Sequence, residues 1–186
     1  MSSWQPWPDP LSGTHPLWPG PEAPPDLNVT RILEQLVGEE VRVDLIHQEV
    51  VLQSHLEAEA TDSLWPANVR LLQREVLLRG RSTGRSLLHA LSSIAMDQLP
   101  ESVETGLLHS STPLGRLLNE AGFPVTRTDL SWILKPLGAL CVFFGGDVPP
   151  TVSALQRTYV MREGSQPVAR LTETFPLAAL GFTAPT

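Results

Sequence analysis

Arg70-Leu71-Leu72-Gln73-Arg74-Glu75-Val76-Leu77-Leu78-Arg79 and the run Ser86 to Met96 are joined by a short link containing two glycines, Gly80 and Gly84. So short a turn leaves no room for a crossover, so the two runs are read as strands of an antiparallel hairpin. Gln156 to Arg162 and Val168 to Phe175 flank Glu163-Gly164-Ser165 in the same way. Val41 to Leu52 and Val125 to Leu134 read as further strands. Asn28 to Val37 puts Ile32, Leu33 and Leu36 on one side and reads as a short helix. Between Asp97 and Gly122 the chain reads as helix and loop. Hairpins with helices inserted rather than alternating imply an antiparallel α+β fold, and 186 residues favour one domain. Lys135 to Pro150 is apolar and punctuated by Gly and Pro, with no element assignable.

Residues 1–25 hold eight of the 18 prolines and three of the five tryptophans. Proline removes backbone donors, so this stretch is read as an extended arm to a domain spanning 26–186, with Trp4, Trp7 and Trp18 pinning it to the domain surface or, as the second reading, serving a partner-binding tail. With 41% hydrophobic and 18% charged residues the chain reads as globular rather than disordered. A formal net charge of -7 argues against a broad nucleic-acid surface, so no nucleic-acid partner is expected. Cys141, the one cysteine, lies in an apolar run with no second thiol to pair with, which fits a reducing compartment. That run is too short to span a bilayer, and the first residues lack a secretory leader's pattern. A cytoplasmic monomer without membrane insertion is the expectation.

Period-two alternation isolates two charges. Leu72, Arg74, Val76 and Leu78 share one strand face, and Ala169, Leu171, Glu173 and Phe175 share another. A charge inside an apolar stripe is costly unless it is paired or binds a ligand. Either Arg74 and Glu173 form a buried ion pair, or they mark a pocket with an anion anchor and a proton-handling carboxylate. Burial suits a carboxylate to acid–base work near neutrality. A third feature is Ser111-Thr112-Pro113-Leu114-Gly115-Arg116. Thr112 is expected to cap a helix entered through Pro113, leaving backbone N–H groups, including that of Leu114, to hold a carboxylate. The helix start at Val29 offers similar donors. Of the 13 basic residues only Lys135 is a lysine; a compositional bias of the genome accounts for this more readily than selection for arginine as the better bidentate carboxylate ligand. His47, His55, His89 and His109 show no metal-ligand spacing, and no Walker loop, GxGxxG or GxSxG is present. No cofactor or metal is expected.

Val29-Thr30-Arg31, Arg74-Glu75-Val76-Leu77-Leu78, Thr112-Pro113-Leu114-Gly115-Arg116 and Leu171-Thr172-Glu173-Thr174-Phe175-Pro176, in that order, resemble the chorismate–pyruvate lyase family from Asp26 to Pro176. The resemblance implies a six-stranded antiparallel sheet with helical flaps over an internal site. It also implies that chorismate is split into 4-hydroxybenzoate and pyruvate, usually for quinone head groups. Carried over by position, Arg74 grips the ring carboxylate and Glu173 stands at the far end of the ring. Val29 and Leu114 contact the ligand from the flaps. Two departures stand out: Val29 replaces a frequent methionine, and Ala90-Leu91-Ser92 lacks the arginine that this triplet usually carries. The alternatives are a non-catalytic binding module of the same fold and a chorismate-using enzyme that adds water instead.

Overall fold

The computed structural model describes residues 29–53, 64–66 and 68–180, with the backbone of residues 5–6, 14–15, 18–19 and 182–183. Trp4, Trp7 and the side chain of Trp18 lie outside the described residues. Three helices and six long strands make up the body: α1 (Val29–Val37), β1 (Val41–Leu52), β2 (Arg70–Gly80) and β3 (Ser86–Ala95), then α2 (Glu101–His109), α3 (Leu114–Glu120), β4 (Thr126–Pro136), β5 (Ser153–Glu163) and β6 (Gln166–Pro176). The strands form one six-stranded sheet of order β1-β2-β3-β6-β5-β4, every neighbouring pair antiparallel. The α+β expectation therefore holds, and β6 closes the sheet by lying between β3 and β5.

Local chemistry fixes both hairpins. At β2–β3, the Glu39 carboxylate accepts hydrogen bonds from the Ser82 amide (2.7 Å) and the Thr83 hydroxyl (2.6 Å), clamping the turn. A Cβ on Gly80 would lie 2.2 Å from Glu39 Oε1, so this clamp needs glycine. At β5–β6, Gly164 takes φ 56°, the positive value a two-residue hairpin needs at its first loop position.

One face of the sheet carries the helices. Ile32 and Leu33 of α1 pack with Leu78, Leu88, Leu155 and Phe175. Val103, Leu107 and Leu118 of α2 and α3 pack with Leu72, Ile94, Met161 and Ala169. These are two separate apolar clusters, and the gap between them is where a ligand can enter. The other face is covered at its ends. Trp65, Val69, Leu71 and Ala95 cluster at one end. At the other, the segment Gly138–Phe143 forms a 3-10 helix, and its Phe143 stacks on the His89 ring at 4.9 Å. His89 is buried, and its Nε2 lies 2.7 Å from Glu75 Oε1. The stretch that had no assignable element thus serves as a lid on the outer face.

Candidate functional site

Between α1 and α3 lies a cavity with an empty volume of about 680 Å³, open solvent at its mouth included. Val29, Arg74, Leu114 and Glu173, the four positions singled out from the sequence, all line it. Their convergence follows from the sheet order. Arg74 faces Ser92 across the β2–β3 ladder, while Glu173 faces Ala90 across β3–β6, one two-residue step further along. Period-two alternation puts all of these on the helix-covered face. Val29 opens α1 and Leu114 opens α3, so the two helix starts form opposite lips of the mouth.

The two charges have different surroundings. Arg74 is 5% exposed, and its Nη2 donates to the Ser110 carbonyl at 3.3 Å. Its Nη1 is buried with no hydrogen-bond partner among the described residues. Burial pulls this guanidinium below its ordinary value, the direction expected of a cation in poor solvent. A buried cation with a donor to spare is a ready anchor for a carboxylate.

Glu173, 3% exposed, does not pair with Arg74. It forms an ion pair with Arg157 of β5, directly opposite in the β5–β6 register, and accepts a hydrogen bond from the Tyr159 hydroxyl at 3.3 Å. The alternative of an Arg74–Glu173 ion pair is therefore overturned. Arg157 is itself boxed by aromatic rings, its Cζ lying 5.7, 5.3 and 5.4 Å from the ring centroids of Trp132, Tyr159 and Phe175. Burial pulls Arg157 down most strongly, but the charge of Glu173, then that of Tyr159, outweighs it and the net shift is upward. Tyr159 is pushed up to about 12, by burial first and then by the Glu173 charge. The far end of the pocket is thus a buried Arg157–Glu173–Tyr159 network.

Arg157, Tyr159 and Arg127 were missed in the sequence reading. The signal was present: Leu155, Arg157, Tyr159 and Met161 form a stripe with the same two-residue period that exposed Arg74. The expected cap at Thr112 needs correcting. Pro113 occupies the cap position of α3 with no side-chain cap, and Thr112 instead bonds Ser110, its amide donating to Oγ at 3.1 Å. The Ser110–Pro113 stretch is therefore organised by Ser110, and α3, with seven residues, has little macrodipole. The Arg116 and Leu117 amides are taken by the Pro113 carbonyl, so what α3 offers the pocket is the N–H groups of Leu114 and Gly115, which precede the first intrahelical bond. Leu91 also reads differently in three dimensions: it is exposed and lines the opposite face of the sheet. Ala90 and Ser92 face the pocket instead, so β3 presents no cation to it.

The α+β fold, with its six-stranded antiparallel sheet and helices on one face, is of a kind already seen in solved proteins. In fold the chain is similar to PhnF from Mycobacterium smegmatis, at a TM-score of 0.59 and 14% identity over 86% of this chain and 68% of that one. It is also similar to the possible transcriptional regulator YydK from Bacillus subtilis, at a TM-score of 0.60 and 14% identity over 86% and 66% of the two chains. Residues 25–182 match the family model described as chorismate pyruvate-lyase Rv2949c-like, and the chain belongs to that family. A relative from Mycobacterium leprae named chorismate pyruvate-lyase is 30% identical over 79% of this chain and 68% of its own length. One of the same name from Mycobacterium tuberculosis is 29% identical over 79% and 73%.

Proposed function

We propose that the protein splits chorismate into 4-hydroxybenzoate and pyruvate. The observation that carries this reading is the buried Arg74 Nη1, unpartnered among the described residues, in the same pocket as Glu173. Arg74 anchors the ring carboxylate, and Val29 and Leu114 close over the ligand with backbone donors. Glu173, a catalytic residue in this reading, stands at the hydroxyl end of the ring. The ring–ether C–O bond breaks, and the hydroxyl-bearing carbon loses its proton, which Glu173 helps to move. The ring becomes aromatic. The enolpyruvate fragment takes a proton on its methylene carbon and leaves as pyruvate. Aromatisation drives the step, so positioning and exclusion of water suffice and no cofactor takes part. In this reading residues 26–186 are the catalytic unit, working as a cytoplasmic monomer that supplies 4-hydroxybenzoate for quinone head groups.

The test mixes purified protein with chorismate and follows 4-hydroxybenzoate by chromatography and pyruvate by a coupled assay. Equimolar products above the spontaneous background, lost in Arg74→Ala, support the lyase. A diene diol with pyruvate would identify a hydrolase instead. Saturable binding of chorismate without product would make the protein a binding module.

A further inference from the structure

Arg157 and Arg74 each face a polar residue directly across a ladder of the sheet. For Arg157 that residue is Glu173, and the two are closed on each other. For Arg74 it is Gln48 of the edge strand β1. Directly opposite residues of an antiparallel pair share a face, with Cβ atoms about 5 Å apart, so Gln48 stands beside Arg74 on the helix-covered side. Gln48 is half-buried, and its Oε1 is a buried acceptor with no hydrogen-bond partner among the described residues. The Arg74 Nη1 is a buried donor in the same condition. An orphan acceptor and an orphan donor thus occupy facing positions of one ladder, and each carries its own desolvation cost.

A guanidinium nitrogen Nη1 carries two hydrogens. The Nη2 of Arg74 is held by the Ser110 carbonyl, so Nη1 is the nitrogen left for the pocket that Arg74 lines. One of its hydrogens suffices for an incoming carboxylate oxygen. The other then needs an acceptor on the β1 side, and Gln48 Oε1 supplies one there. A side-chain amide can take that hydrogen without cancelling the charge. A carboxylate at the same position would close on Arg74 as Glu173 closes on Arg157, and the cation would be lost to a ligand.

We infer that Gln48 is a positioning residue for Arg74: when a carboxylate enters the pocket, Nη1 donates one hydrogen to the ligand and the other to Gln48 Oε1, fixing the plane of the guanidinium fork. The inference rests on the reading of Arg74 as the carboxylate anchor, and it can be tested without turnover. The probes are 4-hydroxybenzoate and 4-hydroxyacetophenone, a neutral ketone of the same shape with one oxygen in place of two. Calorimetry on the full chain should show Gln48→Leu weakening 4-hydroxybenzoate by about 10-fold, the scale of one hydrogen bond to a charged group, while the ketone stays within about twofold. Gln48→Glu should weaken 4-hydroxybenzoate by about 100-fold or more, because its carboxylate takes up the charge of Arg74. In urea unfolding without ligand, Gln48→Leu should be at least as stable as the wild type, since it removes an unsatisfied acceptor. A merely structural glutamine would instead lower stability and weaken both probes alike, and that result overturns the inference. So does wild-type affinity for 4-hydroxybenzoate in Gln48→Leu or Gln48→Glu, or a wild type that binds neither probe. In the parallel chorismate assay, Gln48→Leu should raise KM more than it lowers kcat. Normal turnover in every Gln48 variant would keep the lyase reading and reject this role. A wild type without turnover whose 4-hydroxybenzoate binding depends on Gln48 would do the reverse.

Discussion

Arg74 and Arg157 are nearly equally buried, at 5% and 6% exposure, and both sit in apolar stripes of the same sheet. Their surroundings differ. Arg157 has a carboxylate across the ladder and three aromatic rings around its guanidinium. Arg74 has one backbone carbonyl and a nitrogen with no partner among the described residues. A buried cation that the fold neutralises holds the structure together. One that the fold leaves short of partners is stabilised only when a ligand arrives. In the proposed reading the same residue type in the same kind of stripe does two jobs, and what separates them is the neighbour across the sheet.

This contrast can be broken by substitution. The largest effect is expected for Arg157→Met, which strands a buried carboxylate and should cost about 3–5 kcal/mol of stability in urea unfolding. A change within error would mean that Arg157 is not structural. Pairing it with Glu173→Leu should recover part of the loss, because the two sites are coupled. Arg74→Met should behave in the opposite way. Turnover should drop by about 100-fold or more, as when a preorganised charge contact is removed, while stability stays level or rises because an uncompensated charge is gone. A strongly destabilised Arg74→Met with normal kinetics would reverse the two assignments.

Glu173→Gln should lower kcat by about 100-fold, the scale of general acid–base assistance, with a smaller effect on binding. Normal rates in stopped assays would remove Glu173 from the mechanism. The smallest effect concerns pH. Folded Tyr159 keeps its proton to about 12, whereas an unfolded tyrosine loses it near about 10. Between those values the unfolded state binds fewer protons. The contribution of Tyr159 is therefore complete below about pH 10 and is lost as pH rises toward 12. Denaturation curves across that window should show the fall, and Tyr159→Phe should flatten it.

Much of the pocket lining is legible in the sequence. Alternation in Arg70–Arg79 and Val168–Phe175 put Arg74 and Glu173 on apolar faces, and helix-start chemistry marked Val29 and Leu114. The cap at Thr112 was misread because the Thr112 hydroxyl oxygen accepts from the Ser110 hydroxyl at 2.9 Å instead of from a helix N–H, a competition between neighbouring groups that spacing alone does not rank. The covering role of Gly138–Phe143 was illegible for another reason: a short 3-10 segment has no sustained period to detect.

Period-two alternation and turn chemistry are properties of neighbouring residues, so the sequence by itself determined the hairpins, the α+β class and the face on which each charge falls. Which charges meet was decided only by tertiary structure. Insertion of β6 between β3 and β5 sets Arg157, rather than Arg74, opposite Glu173. Strand order and register come from the packing of the whole sheet against its helices, and they turned one arginine into a partner and left the other facing the cavity.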